Sequence, residues 1–114
     1  MYLGIDLGTS EIKALLLDAE HCIVAVAGAP LALSRPHPHW SEQAPADWWQ
    51  ATCTAVAAVR AQAPQAFAQV RAIGLSGQMH GATLLDANDQ VLRPAILWND
   101  TRSAVECSEL TERL

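Results

Sequence analysis

Three short stretches carry residue types that can do chemistry. The first is Asp6-Leu7-Gly8-Thr9-Ser10, with Lys13 three residues beyond. A carboxylate at the end of a buried strand can hold a magnesium ion through water, and a glycine lets the backbone approach a phosphate. The N–H groups of the turn and the hydroxyls of Thr9 and Ser10 can then bond phosphate oxygens, with Lys13, the sole lysine, adding charge. The same residues serve equally as a plain hairpin turn. The second stretch is Gly77-Gln78-Met79-His80-Gly81, a glycine-bracketed loop that presents polar side chains. His80 can exchange hydrogen bonds with a sugar hydroxyl, Met79 can pack on a carbon face, and Gln78 is counted with them. A surface loop with an incidental histidine has the same appearance. The third is Trp98-Asn99-Asp100, where Trp98 can be a ligand platform and Asn99 and Asp100 can bond hydroxyls. A core tryptophan followed by a helix cap explains these residues better when they are taken alone.

Two other motifs touch the first stretch. Ser10-Glu11-Ile12-Lys13 has the S-x-x-K spacing of penicillin-recognising enzymes, but that motif opens a helix and this segment reads strand-turn-strand. The Asp6–Ser10 run also has the outline of an aspartic-protease loop. Leu7 stands where its hydroxyl residue belongs, and a long helix after residue 45 fits that all-β fold badly. His37 and His39 lie at i and i+2 without a third ligand, so they read as surface and not as a zinc site. Trp40, Trp48 and Trp49 beside them read as packing.

The elements that must position these stretches follow from pattern. Residues 2–7 and 12–18 read as strands joined by the turn 8–11, and 22–33 as a third strand interrupted at Gly28 and Pro30. Short links make these three antiparallel. Residues 34–44 are a loop, and Pro45 suits the first turn of a helix. Asp47 and Gln50 have capping-box spacing, and Trp49, Cys53, Val56 and Val59 form an apolar stripe. Pro64 ends that helix or begins a new turn. Residues 70–75 read as a fourth strand, reached through a helix and so parallel to a strand of the meander. Residues 82–86 and 91–93 suggest an inserted hairpin around Asn88-Asp89, residues 94–100 an irregular stretch, and Thr101 onward a last helix. This order predicts an α/β fold, the N-terminal part of a ribonuclease-H-like (actin-like ATPase) domain.

Composition narrows the function. Of 114 residues, 51% are hydrophobic and 17% charged, an ordinary globular balance, and the net charge is −5. Six scattered arginines and one lysine form no basic block, which argues against a nucleic-acid partner. No apolar run reaches the roughly 20 residues that a bilayer crossing needs, and the first residues lack a signal-peptide pattern. A cytoplasmic location and no membrane partner are expected. Cys22, Cys53 and Cys107 lack C-x-x-C spacing and are expected as reduced thiols in or near a core.

Taken together and in order, the stretches resemble the carbohydrate kinases that phosphorylate xylulose, glycerol and gluconate, and the xylulokinase branch most closely. The likeness runs through Tyr2–Ser10, Ser34–Pro38, Trp40–Gln43, Trp48–Thr52, Gly77–Gly81 and Arg93–Asp100, essentially the whole chain. The Asp6–Ser10 stretch is common to the group, and Gln78-Met79-His80-Gly81 points to xylulose. The resemblance implies ATP and Mg2+ as cofactors and transfer of the γ-phosphoryl group to the 5-hydroxyl of D-xylulose. It implies that Asp6 lies by the magnesium ion, that Gly8, Thr9, Ser10 and Lys13 flank the phosphates, and that Gln78, Met79 and His80 lie in the sugar pocket, with Trp98, Asn99 and Asp100 near it. It also implies that residues 1–114 are the N-terminal part of a first domain, with the second domain and the catalytic aspartate absent. From this come three expectations: the chain is inactive alone, it exposes an unpaired sheet edge, and it is a homo-oligomer, a dimer in the simplest case. The reading from a different class is a non-catalytic remnant or binding domain of the same fold; a kinase for another sugar or polyol is a further alternative.

Overall fold

A computed structural model describes residues 1–114. The chain opens with strands β1 (Tyr2–Leu7), β2 (Glu11–Leu17) and β3 (Ile23–Pro30). A two-residue strand β4 (Glu42–Gln43) precedes helix α1 (Pro45–Gln62) and the single turn α2 (Pro64–Phe67). Strand β5 (Ala72–Gly77), the short β6 (Ala95–Ile96) and helix α3 (Ala104–Arg113) complete it.

The main sheet has the order β3-β2-β1-β5. β1 and β2 are antiparallel, with Asp6 opposite Lys13, and β2 and β3 are antiparallel. β5 runs parallel to β1 and places Asp6 opposite Ser76 and Leu7 opposite Gly77. The expected meander and parallel fourth strand are therefore present. The crossover through α1 returns the chain to the free side of β1, so β5 forms an edge.

Alternation along the strands makes one sheet face apolar. Leu3, Ile12, Ala14, Leu16, Ala25 and Ala29 are buried there under Ala51, Ala55 and Val59 of α1. Burying a side chain the size of Ile12, Leu16 or Val59 contributes roughly 1.5–3 kcal/mol each. Alanines on both surfaces let the helix approach β2 and β3 closely.

This corrects the expected helix stripe. Trp49 is 72% exposed and Cys53 is exposed; only Val59 of the predicted set is fully buried. Because α1 lies over β2 and β3, Trp49, Cys53 and Val56 instead line a groove of about 780 Å³ with Ile5, Leu7, Ile73 and Leu75. The three cysteines are free and exposed, not core residues. Ala44 precedes α1 without a side-chain cap, so Pro45 and the acidic Asp47 in the first turn start the helix without a capping box.

The loop over residues 34–44 and the stretch 94–100 are more ordered than their compositions suggest. β4 and β6 pair antiparallel, Glu42 with Ile96 and Gln43 with Ala95. The segment 82–93 closes through the single bridge Leu85–Val91 and an Asx turn in which Asp86 Oδ1 accepts from the N–H groups of Asn88 and Gln90. It forms no regular strands, and Ala82 bridges Ile96 instead. No helix is long and apolar enough to cross a membrane.

Candidate functional site

β1 and β5 point the same way, so their C-terminal ends open side by side. In an α/β sheet, that is where loops can enclose a ligand. A cleft of about 390 Å³ lies there, lined by Asp6, Leu7, Gly8, Thr9, Gly77, Gln78, Met79, His80 and Trp98. Parts of all three sequence stretches thus meet in one place, although some 70 residues separate the first two.

Local chemistry fixes each wall. The turn after β1 closes with the Gly8 N–H donating to the Glu11 carbonyl at 3.0 Å. A Cβ on Gly8 would come within 2.8 Å of that carbonyl oxygen, so the turn requires glycine. Asp6 stands exposed on the strand beside it. Across the cleft, His80 has φ of 58°, in the left-handed region, between Met79 and Gly81. Trp98 Nε1 donates to Thr9 Oγ1 at 3.3 Å, so the tryptophan leans on the turn while remaining 59% exposed.

Not every expected residue faces the cleft. Ser10 is exposed, and its carbonyl accepts from the Leu31 N–H at 2.8 Å. Lys13 Nζ lies 3.0 Å from Glu11 Oε1, on the strand next to Asp6. Asn99 lines a separate polar depression with Arg35, His37, His39, Trp40 and Ser41. Asp100 is turned inward: its Oδ1 and Oδ2 accept from Arg102 Nε at 2.8 Å and Nη2 at 2.6 Å, and Oδ2 also accepts from the Ser41 N–H. The Arg102 hydrogen bond is the main reason that the Asp100 carboxyl is held well below the usual carboxylate range, against the opposing effect of burial. Glu42 Oε1 binds Arg93 at 2.7 Å and Arg102 at 2.8 Å, and the Arg102 guanidinium lies 3.6 Å from the centre of the Trp40 ring. This cluster ties the loop before α1 to the segment that carries Trp98.

The sequence reading passed over Gln43 except as part of a matching run. It is buried to 2% exposure behind the cleft. Its Nε2 donates to the carbonyls of Thr9 at 2.7 Å and Ala32 at 3.2 Å, while its Oε1 accepts from Trp48 Nε1 at 2.9 Å and Gln78 Nε2 at 3.2 Å. Gln78 Nε2 also donates to the Gly8 carbonyl at 3.3 Å, whereas the buried Gln78 Oε1 has no partner. An indole N–H only donates and a backbone carbonyl only accepts, so these neighbours dictate which way the Gln43 amide faces.

A magnesium ion fits this donor set only in one manner. No group of three or more His, Cys, Asp or Glu side chains is gathered anywhere in the chain. Asp6 offers a single carboxylate, the usual provision for an ion that keeps its waters and takes phosphate oxygens for the remainder. The orphan Gln78 Oε1 is an acceptor suited to a hydroxyl group.

A mixed sheet with helices and a cleft at adjacent strand ends is the arrangement of a domain of the actin-like kind. The chain belongs to the FGGY family of carbohydrate kinases, whose N-terminal domain matches residues 1–114. It is 55% identical over its whole length to the xylulose kinase of Escherichia coli strain K12, and spans 23% of that protein. The crystal structure of a xyloylose kinase from Brucella ovis superposes with a TM-score of 0.93 at 61% identity over 96% of this chain and 23% of that one. The xylulose kinase structure from Rhodospirillum rubrum gives 0.94 at 35% identity over 98% and 23%. The chain thus spans about a quarter of the length of these relatives.

Proposed function

We propose that residues 1–114 supply the first walls of the phosphate and sugar sites of an ATP-dependent kinase acting on the 5-hydroxyl of D-xylulose. The observation that carries this reading is the meeting of Asp6, Gly8 and Thr9 with Gln78, Met79, His80 and Trp98 at one cleft. The names of the similar proteins support the sugar.

Phosphoryl transfer depends chiefly on positioning and charge neutralisation. Magnesium, when bound, supplies the neutralising charge. Asp6 is the carboxylate that would hold the ion, and the turn at Gly8 and Thr9 would meet the phosphates. Ser10 and Lys13 lie outside the cleft lining, and Lys13 would have to leave Glu11 to reach a phosphate. Met79 and Trp98 give apolar surface to the sugar's carbon face, and His80 and Gln78 bond its hydroxyls. Asn99 and Asp100 act from behind: Asp100 anchors Arg102 and the loop, and Asn99 leads into Trp98. The base that accepts the hydroxyl proton belongs to a part of the kinase beyond these residues.

The test is Asp6→Asn in a chain of the relatives' full length. Turnover of D-xylulose with ATP should fall roughly a hundredfold or more, with an unchanged circular-dichroism spectrum. Near-normal turnover would show that Asp6 is only a strand residue.

A further inference from the structure

Gln43 makes all four hydrogen bonds that a primary amide can make, and each goes to a different segment. Thr9 belongs to the turn after β1, Ala32 to the exit of β3, Trp48 to α1 and Gln78 to the loop after β5. Gln78 in turn holds the Gly8 carbonyl, so beyond the β1–β5 ladder the side-chain amides of Gln43 and Gln78 join turn 8–9 to loop 77–80. The register of β4 on β6 and the Glu42 ion pairs fix where Gln43 stands.

We propose that Gln43 is a positioning residue that sets the distance between the phosphate turn and the sugar loop, acting through Thr9 and Gln78 without touching either substrate. The inference rests on the kinase reading for its consequence, but not for its geometry. A buried amide with every donor and acceptor engaged has one orientation. Removing it leaves the Thr9 and Ala32 carbonyls and the Trp48 N–H without partners, so the two walls lose their common reference. Each substrate keeps its own contacts, and alignment between them is what suffers. The loss therefore belongs in kcat more than in either KM.

Three substitutions test this. Gln43→Met keeps the volume and removes every polar atom. Trp48→Phe keeps an aromatic ring, smaller than the indole, and deletes one donor, a milder change should the first variant fail to fold. Gln43→Glu keeps the acceptor for Trp48 and Gln78, and regains a donor toward Thr9 only when protonated. In a chain of the relatives' length, Gln43→Met should lower kcat about tenfold to a hundredfold while both KM values stay within about threefold. Trp48→Phe should move the same way by less, and the relative turnover of Gln43→Glu should rise as pH falls. A loss of thermal stability with unchanged kcat per folded molecule would overturn the proposal, as would a change confined to one KM. The second arm needs no activity. Amide exchange in residues 1–114 should quicken together at 8–11 and 77–78 in Gln43→Met, by about tenfold, and not in Gln50→Met. A response at one segment alone sinks the link even if the kinase reading stands. Coupled exchange in residues 1–114, with no turnover in a chain of the relatives' length, keeps the link and removes the reading.

Discussion

His80 holds a backbone conformation that costs a side-chain-bearing residue about 1–2 kcal/mol. This residue lines the cleft and stands between Met79 and Gly81 in the chain. We expect His80→Ala, in a chain of the relatives' length, to raise the KM for D-xylulose at least tenfold and that for ATP little. Equal movement of the two values, or movement of the ATP value alone, would remove His80 from the sugar side. At this scale the cleft was partly legible. Asp6 lies two residues before Gly8, Met79 two after Gly77, and His80 beside Gly81, and glycine marks places where the backbone makes a turn or a close approach. Gln43 carried no such mark. Its importance lies in four partners from residue 9 to residue 78, and no local pattern encodes that convergence. Asp100 resembled a ligand residue by type, but its carboxylate is taken up by Arg102 and Ser41, two and 59 residues away.

At the scale of elements, period and punctuation were enough to find the meander, the long helix and the parallel strand. They did not find which side of α1 is buried. Tryptophan and cysteine are the more hydrophobic stripe, but the sheet beneath β2 and β3 presents Ala14, Ala25 and Ala29, and only the small face of Ala51 and Ala55 can lie against it. β4 and β6 were hidden because each has two residues, held by ion pairs more than by apolar pattern. The energetic consequence can be measured. Asp100 is almost wholly buried, and losing its charge leaves Arg102 short of a partner. Asp100→Asn should destabilise the chain by about 3 kcal/mol at pH 7 in urea unfolding. The folded carboxyl titrates below its unfolded value near 3.9, so its contribution is complete above about pH 5 and fades as pH falls through the acid range. The gap between the original chain and Asp100→Asn should therefore close on acidification. A gap that is constant from pH 7 to pH 3 would show that the loss is one of shape and not of charge.

At the scale of the whole molecule, much apolar surface lies uncovered. The radius of gyration is 17.7 Å, against about 13–14 Å for a compact domain of this length, and the longest dimension is 56 Å. α3 has no buried residue, with Val105 and Leu110 both outside, and edge strand β5 exposes Ile73 at 60% and Leu75 at 79% beside the groove under Trp49. Such an edge and groove invite a second chain. Asp6 is the only carboxylate that lines the cleft, and His80 is the only other side chain there that could take a proton. We expect residues 1–114 alone to self-associate and to give no xylulose-dependent turnover. Sedimentation velocity at micromolar concentration should show dimers or larger species, and Leu75→Lys should shift them toward monomer by placing a charge in the apolar groove. A coupled assay on the same preparations should stay at background. A monomer at all concentrations would mean that the exposed groove is tolerated in water. Turnover that Asp6→Asn abolishes would refute the expectation of an inactive chain, and its loss in Leu75→Lys as well would place the missing base on the surface that Leu75 helps to join.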